Sequence, residues 1–402
     1  MKLGIVYHMP FWRDADGVLR EVEGSFARYV DSLAPYFDEI SLCVPTLTEP
    51  RGAGTPIRSP NVTLAPLPPF DGPLQFYPKL PQIVPRLWRW VRGIDVLHCR
   101  VPTPAALFAF GCARIVRRPV FLLIVGDLRA LLPSMPYRGI KRWLWRAYTE
   151  IEEASIRWMT RTALTFANGA ALARKHGRAD APVVETRTTT ISAADIAARA
   201  QTCLGAAIRL LTVSRIDPRK GLRTLPEMVR TLVDRGLDVT LDIVGPVVGS
   251  PGEQEREAIL ADSRRLDVPG RVRCLGPLAL DALLPAYREY DLFVLPTLPG
   301  EGIPRVLLEA MAAGVPIVTT RVAGIPSLIT HEGNGLLVEA GPSGATADAV
   351  ERLVADPELR RRLIQAGYVT ARQHTLEHQA EFIVDRLRTH VGRPLAAAPR
   401  VA

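Results

Sequence analysis

The sequence has 402 residues, of which 48% are hydrophobic and 23% are charged, which is enough for two or three globular domains with large apolar cores. Fifty Lys and Arg residues against 41 Asp and Glu give a net charge of +9, which is compatible with nucleic acid, an anionic membrane surface or phosphorylated ligands as partners. The basic residues are scattered and no zinc-finger spacing or aromatic-rich RNA-binding motif is present, so we expect no nucleic-acid partner.

Cysteine usage and hydropathy point to the cytoplasm. The five cysteines are far apart and form no C-x-x-C pair, which predicts reduced thiols. No run of about 18 apolar residues occurs, so no membrane-spanning helix is predicted. A predicted strand occupies residues 2–8, where a signal peptide would otherwise begin. We therefore predict a cytoplasmic protein, with peripheral contact at the inner face of the cell membrane as an option.

Strands and helices alternate through the first half of the chain, which is typical of a doubly wound parallel sheet. The first strand is expected to lead into a loop over residues 9–17. In chain order the predicted strands are 2–8, 39–45, 62–65, 95–98, 119–125 and 163–167, and the predicted helices are 25–34, 82–92, 105–116 and 138–160.

The alternation weakens over residues 182–206 and resumes at Ile208. The predicted strands of this second set are 209–214, 239–244, 271–275, 291–295, 316–320 and 335–338, followed by two helices over 357–391. We therefore predict two Rossmann-like α/β domains, 1–190 and 208–375, joined by a linker at 191–207. Residues 376–402 would contain a helix that is a candidate for packing back on the first domain, and then a frayed tail.

Two glutamates frame a strand–loop–helix segment in the second domain. Glu301 lies in the loop after the predicted strand 291–295, and Glu309 lies inside a helix that Pro304 begins and Gly314 ends. The carboxyl end of the strand and the amino end of the helix meet between them, where open α/β sheets bind ligands and phosphate in particular. Taken alone, the pair is more typical of a loop charge and a solvated helix residue.

Two cations follow the first strand of the same domain. Arg215 and Lys220 flank an Asp-Pro turn at the sheet edge that also carries Glu301. An arginine binds phosphate as a fork and a lysine as a point charge, although both are equally common as surface cations. Gly245 and Gly276 each end a further strand, where glycine either lets a ligand approach the backbone or simply makes a turn.

Together these motifs resemble the retaining nucleotide-sugar glycosyltransferases of family 4, which have the two-domain GT-B fold with a central cleft. The resemblance rests on Ser214-Arg215, Lys220-Gly221, the strand ends at Gly245 and Gly276, and the block Glu301-x7-Glu309-Ala310-Met311-Ala312-x-Gly314-x-Pro316. It is dense over residues 209–340, and the form of the block resembles bacterial surface-polysaccharide members. Over residues 1–200 only the order of strands and helices agrees.

The resemblance implies roles for these residues. Arg215 and Lys220 would bind the donor diphosphate and offset the charge that grows on it as it leaves. Glu309 would bind the ribose hydroxyls, and Glu301 would hold the donor sugar or support a cationic transition state. The implied donor-binding residues are Arg215, Lys220, Gly245, Gly276, Glu301, Gly302, Ile303, Pro304, Arg305 and Glu309. No metal or other cofactor is expected, because the two cations and a helix end would supply the positive charge.

The first domain, which would bind the acceptor, departs from the family pattern. The loop after the first strand has one glycine, Gly17, where family members often have a Gly-Gly pair. After the fifth strand stands Gly126-Asp127, where many members have His next to Asp. Asp127 is therefore a candidate acceptor base and His98 another, with a packing histidine as the alternative for His98. A front-face mechanism, in which the leaving phosphate takes the proton, would need neither.

Other charged segments of the first domain have two interpretations each. Asp14-Ala15-Asp16 imitates a metal-binding D-x-D, although a chance match is the better interpretation. Glu152 and Glu153 are expected on a solvated helix face. The segment 138–160, rich in Arg and Trp, could rest on an anionic lipid surface or pack on the sheet with a basic outer face.

We therefore expect a retaining, metal-independent hexosyltransferase that moves a sugar from a nucleotide-diphosphate sugar to a glycan or lipid-linked acceptor, in cell-surface polysaccharide or glycoconjugate biosynthesis. The alternatives are a sugar-nucleotide epimerase or phosphorylase of the same fold, a glycosyltransferase acting on a small natural product, and a non-catalytic binding module.

Overall fold

The structure is a computed structural model that describes residues 1–22, 24–50, 54–70, 72–132, 139–196, 198–299, 303–322 and 324–391. These residues form two compact units. The first unit comprises Met1–Thr188 together with the chain from Leu376 onward, and the second comprises Thr189–Thr375. The predicted frayed tail from Pro394 lies outside the described residues.

The first unit is built on a seven-stranded sheet. Its strands and those of a smaller sheet are β1 (Lys2–Val6), β2 (Phe11–Arg13), β3 (Leu19–Glu21), β4 (Glu39–Pro45), β5 (Thr55–Pro56), β6 (Val62–Leu67), β7 (Val96–Val101), β8 (Val120–Ile124), β9 (Leu164–Asn168) and β10 (Val184–Thr186). The large sheet has the order β10-β9-β8-β7-β1-β4-β6, and all its pairs are parallel. Most of its strands are continuous apolar runs because helices cover both faces.

The helices of this unit follow the strands in turn. They are α1 (Ser25–Leu33), α2 (Pro73–Phe76), α3 (Leu80–Arg92), α4 (Pro104–Ile115), α5 (Leu128–Leu131), α6 (Gly139–Met159) and α7 (Ala170–His176).

A small antiparallel sheet replaces the loop predicted over residues 9–17. In it β3 pairs with both β2 and β5. Phe11 and Trp12 on β2 are almost fully buried, and the alternation that usually marks a half-buried strand is missing in so short a segment. The prediction of an irregular loop was therefore wrong, because burial of two aromatic side chains favours a paired ribbon.

The second unit has a six-stranded, all-parallel sheet. Its strands are β11 (Ala207–Val213), β12 (Asp238–Val244), β13 (Val272–Gly276), β14 (Leu292–Leu295), β15 (Ile317–Thr320) and β16 (Leu336–Val338). Their order is β13-β12-β11-β14-β15-β16. The helices are α8 (Leu225–Asp234), α9 (Gly249–Arg265), α10 (Leu280–Ala286), α11 (Val306–Ala312), α12 (Ser343–Ala355) and α13 (Pro357–Arg372).

The last helix, α14 (Leu376–Val391), belongs to the first unit. Its residues Ile383 and Leu387 lie in the same buried cluster as Phe26 and Leu33 of α1. The helix therefore covers apolar surface of the sheet that begins the chain. Within the parts of the chain that the structure describes, no helix is long and apolar enough to cross a membrane.

Two glycines let strand ends of the second unit approach closely. A Cβ added to Gly245, at the end of β12, would lie 2.0 Å from the carbonyl oxygen of Ser214 after β11. A Cβ added to Gly221, whose φ is +67°, would lie 2.1 Å from the carbonyl oxygen of Pro296 after β14. The backbones at this edge therefore fit together only without side chains at these two positions.

Replacing Gly245 by Ala should destabilise the second unit more than the same change at Gly236. Both glycines have positive φ, but an added Cβ at Gly236 meets no atom within 4 Å. We expect Gly236→Ala to lower the free energy of unfolding by about 1 kcal/mol from backbone strain alone, and Gly245→Ala to add at least about 2 kcal/mol from the clash. Urea unfolding of both variants checks this, and equal losses would contradict the proposed contact.

Candidate functional site

The candidate site lies at the carboxyl edge of the sheet of the second unit. There the Ser214 N–H donates to the carbonyl of Val244 at 2.9 Å, and the Gly245 N–H donates to the carbonyl of Gly276 at 2.9 Å. Gly276 has a φ of +78°, and an added Cβ would meet nothing within 4 Å, so its backbone conformation rather than crowding favours glycine. The ends of β11, β12 and β13 are thus joined into one continuous edge.

The loop after β14 joins the same edge. The Leu298 N–H donates to the carbonyl of Arg219, 3.1 Å away. This bond places the chain just before residues 300–302 against the turn that carries Lys220. Parallel sheets bind ligands where such loops from neighbouring strands meet.

Lys220 is largely buried at this edge. It ends a 3-10 turn, Pro218–Lys220, and only 8% of the residue is exposed. Burial, and next the charge of Arg215, lower the pKa of Lys220 to about 8. The ammonium group is therefore still charged at neutral pH, although it is largely shielded from solvent and close to a second cation. An anion bound here would offset both the lost hydration of Lys220 and its repulsion by Arg215.

Arg215 and Lys220, which the sequence separates by a turn, are thus brought together by the fold. Arg215 is exposed. Between them Asp217 accepts from the Arg219 backbone at 3.0 Å and from the Arg219 Nε at 2.9 Å. These bonds, led by the Arg219 side chain, lower the pKa of Asp217 to about 2. The turn is held by its own ion pair, which leaves Arg215 facing solvent.

Glu309 on α11 is a buried carboxylate, which excludes the solvated helix interpretation. Only 4% of the residue is exposed. Its Oε1 accepts from the Thr190 hydroxyl at 2.5 Å and its Oε2 from the Tyr287 hydroxyl at 2.8 Å. Each carboxylate oxygen can accept a second hydrogen bond. The side chain is therefore fixed before any ligand binds, with acceptor capacity left over.

Sequence reasoning missed both partners of Glu309. Thr190 precedes the predicted linker, and it is 119 residues from Glu309 in the chain. Tyr287 is 22 residues away and fully buried. Burial, and then the Glu309 charge, raise the pKa of Tyr287 well above its usual range, so its hydroxyl remains a donor. The periodicity of hydrophobic residues, which predicts helices and strands, gives no signal for pairs so far apart in the chain.

Glu301 and Gly302 lie outside the described residues, so their roles stay predictions. Ile303, Pro304 and Arg305 are described and partly exposed. Arg305 is the residue that immediately precedes α11, so the helix begins two residues later than Pro304. These three residues therefore lead from the carboxyl edge into the helix that carries Glu309.

Asp127, the candidate acceptor base in the first unit, is held as a helix cap. Its carboxylate accepts from the backbone of Arg129 and Ala130 at 2.9 and 3.2 Å, and it pairs with Lys175 at 2.8 Å. Burial alone would raise the pKa of Asp127, but the bond from Lys175 and the backbone N–H groups lower it. A general base works best with a pKa near the working pH, so these contacts suit a structural role better.

His98 is packed inside the first unit. Its ring stacks on Phe121 at 4.2 Å, and its Nε2 lies 3.1 Å from the Tyr29 hydroxyl. Burial, followed by the charge of Arg100, lowers the pKa of His98 to about 3. The alternative interpretation as a packing histidine therefore agrees with the geometry.

Glu152 and Glu153 of α6 are buried, so the prediction of a solvated face was wrong. They are 4% and 3% exposed. Glu153 pairs with Lys175 at 2.7 Å, while burial raises the pKa of Glu152 to about 7 in spite of a hydrogen bond from Tyr148. Their charge alone predicted exposure to solvent, but Glu153 has a partner on α7 and Glu152 has one on α6 itself, and these contacts offset part of the cost of burial.

Asp14 stabilises a turn of the small antiparallel sheet. It accepts from the Val18 N–H at 2.8 Å and from the Arg20 Nε at 2.6 Å. Among the residues that the structure describes, no group of three or more His, Cys, Asp or Glu side chains is arranged to hold a metal ion.

A cavity of about 860 Å³ opens within the first unit, and sequence reasoning did not find it. Its walls combine apolar side chains such as Phe70, Pro102 and Trp145 with polar and charged ones, namely His8, Tyr148, Glu49 and Lys79. Burial, and then the charge of Arg100, lower the pKa of His8 to about 4, so this ring is neutral at physiological pH. The cavity can therefore take a ligand that has both polar and apolar parts.

Comparison with known proteins identifies the second unit. Residues 207–356 match the family described as Glycosyl transferases group 1. The chain therefore carries a glycosyl transferases group 1 domain, and the resemblance found in its motifs is confirmed.

Two relatives illustrate how the match is distributed. The D-inositol 3-phosphate glycosyltransferase of Corynebacterium glutamicum (strain R) is 32% identical over 153 residues, 38% of this chain and 36% of that protein. The phosphatidyl-myo-inositol mannosyltransferase of Mycobacterium leprae (strain TN) is 26% identical over 366 residues, 89% of this chain and 87% of that protein. Over the first three known relatives, the match spans between 36% and 46% of their own length.

Solved structures show the same architecture. HepE of Anabaena, solved in complex with UDP, matches with a TM-score of 0.66 at 19% identity, covering 97% of this chain and 100% of that one. At this identity the match speaks for the fold alone. The prediction of a GT-B protein with two doubly wound parallel sheets is confirmed.

Replacing Glu309 by Gln should lower stability, because the amide nitrogen cannot accept from the Thr190 or Tyr287 hydroxyl. Leaving one buried donor unpaired should reduce the free energy of unfolding by about 1–3 kcal/mol. If Glu309 also binds the nucleotide ribose, Glu309→Gln weakens UDP binding as well. Tyr287→Phe should reduce stability while leaving UDP affinity near the wild-type value.

Urea unfolding and calorimetric titration with UDP measure the two effects. Wild-type UDP affinity in Glu309→Gln would assign the carboxylate a purely structural role.

Proposed function

We propose that the chain is a retaining glycosyltransferase that transfers a sugar from a nucleotide-diphosphate sugar to a glycan or lipid-linked acceptor. The observation that carries the proposal is the juxtaposition of Arg215 and Lys220 at the carboxyl edge of a group 1 domain. Two positive charges held close together by the fold, one of them partly buried, fit a diphosphate. Two similar proteins support the same class of donor and acceptor, since HepE was solved in complex with UDP and the relative from Mycobacterium leprae is a phosphatidyl-myo-inositol mannosyltransferase.

The cation pair would act on the leaving group. As the bond between the sugar C1 and the diphosphate oxygen breaks, negative charge grows on the diphosphate, and fixed positive charges lower the energy of that state. Lys220 is suited to this because partial burial strengthens its electrostatic effect. We propose that these two residues take the part that a metal ion plays in other transferases.

We further propose that the acceptor needs no side-chain base. The contacts of Asp127 and His98 suit structural roles. In a front-face reaction the acceptor oxygen bonds to C1 on the side from which the diphosphate leaves. The acceptor proton then passes to the departing phosphate oxygen, so the anomeric configuration is retained and every proton is accounted for.

Contact with the inner face of the membrane is the proposed setting. The helix α6 carries an exposed apolar stripe, namely Ile140, Trp143, Leu144, Ile151 and Trp158, which are between 37% and 75% exposed. Separations of three, four and seven residues place these side chains on one helix face. Exposed Lys141, Arg142 and Arg146 flank the stripe, and this combination is typical of helices that lie on anionic lipid.

The affinity for UDP should depend on the protonation of Lys220. Below pH 8 the ammonium is present and binding is independent of pH; above pH 8 binding requires proton uptake, so affinity should fall by up to about tenfold per pH unit. Lys220→Arg keeps its charge over this range, so its affinity should stay flat between pH 7.5 and 9.5. Calorimetric titration with UDP checks both, and a flat wild-type profile would remove Lys220 from the phosphate site.

Glu301→Ala should abolish sugar transfer while nucleotide binding largely survives, because this carboxylate is proposed to act on the sugar. Arg215→Ala should weaken both, since the diphosphate is bound in ground state and transition state alike. The test is a screen of UDP-, GDP- and dTDP-sugars, with thermal shift for binding and slow donor hydrolysis for chemistry. If no nucleotide sugar gives any response, the proposed function is wrong; full transfer by Glu301→Ala would refute only the role of that carboxylate.

A further inference from the structure

A second cavity of the first unit is strongly basic. It has a volume of about 350 Å³ and lies between the last turns of α6 and the end of α7. Its charged lining residues are Arg157, Arg161, Lys175 and Arg178, and no carboxylate lines it. It shares no lining residue with the larger cavity beside His8. The two cavities of the first unit are therefore separate.

Two of these four cationic side chains have no salt-bridge partner among the described residues. Lys175 pairs with Asp127 and Glu153, and Arg178 pairs with Asp180. Arg157 and Arg161, in contrast, form no salt bridge with any residue in the described ranges. Two guanidinium groups of the same cavity wall are thus available to an oxyanion, which arginine binds in a bidentate manner.

His176 adds an observation that is independent of charge. It is 3% exposed and lines the cavity, yet neither ring nitrogen has a hydrogen-bond partner among the described residues. Buried polar atoms are paired in nearly all folded proteins, because an unpaired one loses its hydration without compensation. His176 is therefore a residue of the cavity wall with a hydrogen-bond donor that the described residues leave unused, since one ring nitrogen of a histidine always carries a hydrogen.

The apolar part of the cavity lining indicates which kind of molecule would supply the ligand oxygen. Trp158 lines the cavity and is 48% exposed as the last member of the stripe on α6. We propose that the cavity binds the headgroup phosphate of an anionic phospholipid, with Arg157, Arg161 and His176 on the phosphate and Trp158 at the boundary with the acyl chains. This inference rests on the proposed membrane contact, which it makes specific.

Ring signals of the histidines in an NMR spectrum of the full chain test the site directly. We expect soluble dihexanoyl phosphatidylglycerol, below its micelle concentration, to shift the His176 signal, and inorganic phosphate to shift it in the same direction at higher concentration. The signal is assigned from the His176→Gln variant. A response to inorganic phosphate alone would mean a free-phosphate site and would overturn the lipid assignment. No response to either probe would overturn the site itself.

Vesicle binding provides a test with a matched control. Arg157→Gln/Arg161→Gln and Arg86→Gln/Arg89→Gln each remove two exposed positive charges from the first unit. Only the first pair should weaken cosedimentation with vesicles of phosphatidylglycerol and phosphatidylcholine, by about tenfold or more. Equal losses in both would indicate general attraction between charges and would contradict a specific site.

Two further measurements separate the failure of this proposal from the failure of its premise. If Ile140→Ser/Trp143→Ser leaves vesicle binding intact, the stripe does not contact lipid, and the inference fails together with the proposed membrane contact. If the stripe variant loses binding while Arg157→Gln/Arg161→Gln binds as the wild type does, the membrane contact stands and only the headgroup site is wrong. Unchanged thermal midpoints show that the exposed substitutions leave the fold intact.

Discussion

Close approach of backbones at one sheet edge is the constraint on which the candidate site depends. At Gly245 and Gly221 the neighbouring carbonyl oxygens of Ser214 and Pro296 occupy the space that a Cβ would need. Because these strand ends touch, the turn that carries Lys220 is held against two neighbours and cannot swing away. The burial of Lys220, and hence its lowered pKa, follows from packing of the main chain rather than from any side chain chosen for that purpose.

The neighbours of a buried charged residue indicate whether it stabilises the fold or binds a ligand. Glu309 and Glu153 are satisfied by hydroxyl or ammonium donors within their own unit, so the fold keeps them in place without a ligand. Lys220, in contrast, has a second cation, Arg215, close by, and this neighbour makes its charged form more costly. A buried cation that lies beside a second cation is typical of a site that binds an anion.

The strands of the second unit could be predicted because most are short apolar runs, and because β12, β13 and β14 have glycine or proline at or directly after their ends. Strand β14 and the strand before Lys220 both appear in the sequence within two residues of their true ends. The partners of Glu309 could not be predicted, since Thr190 and Tyr287 meet it only through the fold. The burial of Glu153 was missed for the same reason, because its partner Lys175 lies on α7 and meets it only through the fold.

Helix α6 contributes side chains to two surfaces of the first unit, namely the larger cavity and the exposed apolar stripe. Trp145 and Tyr148 on one side of the helix line the larger cavity, while Trp143 and Ile151 on another side are exposed. A rigid helix of this kind fixes the position of the cavity relative to whatever surface the stripe contacts. If that surface is a lipid layer, α6 fixes the cavity beside it, and a ligand with an apolar anchor and a polar headgroup would match a wall that holds Phe70 and Trp145 as well as Glu49 and Lys79.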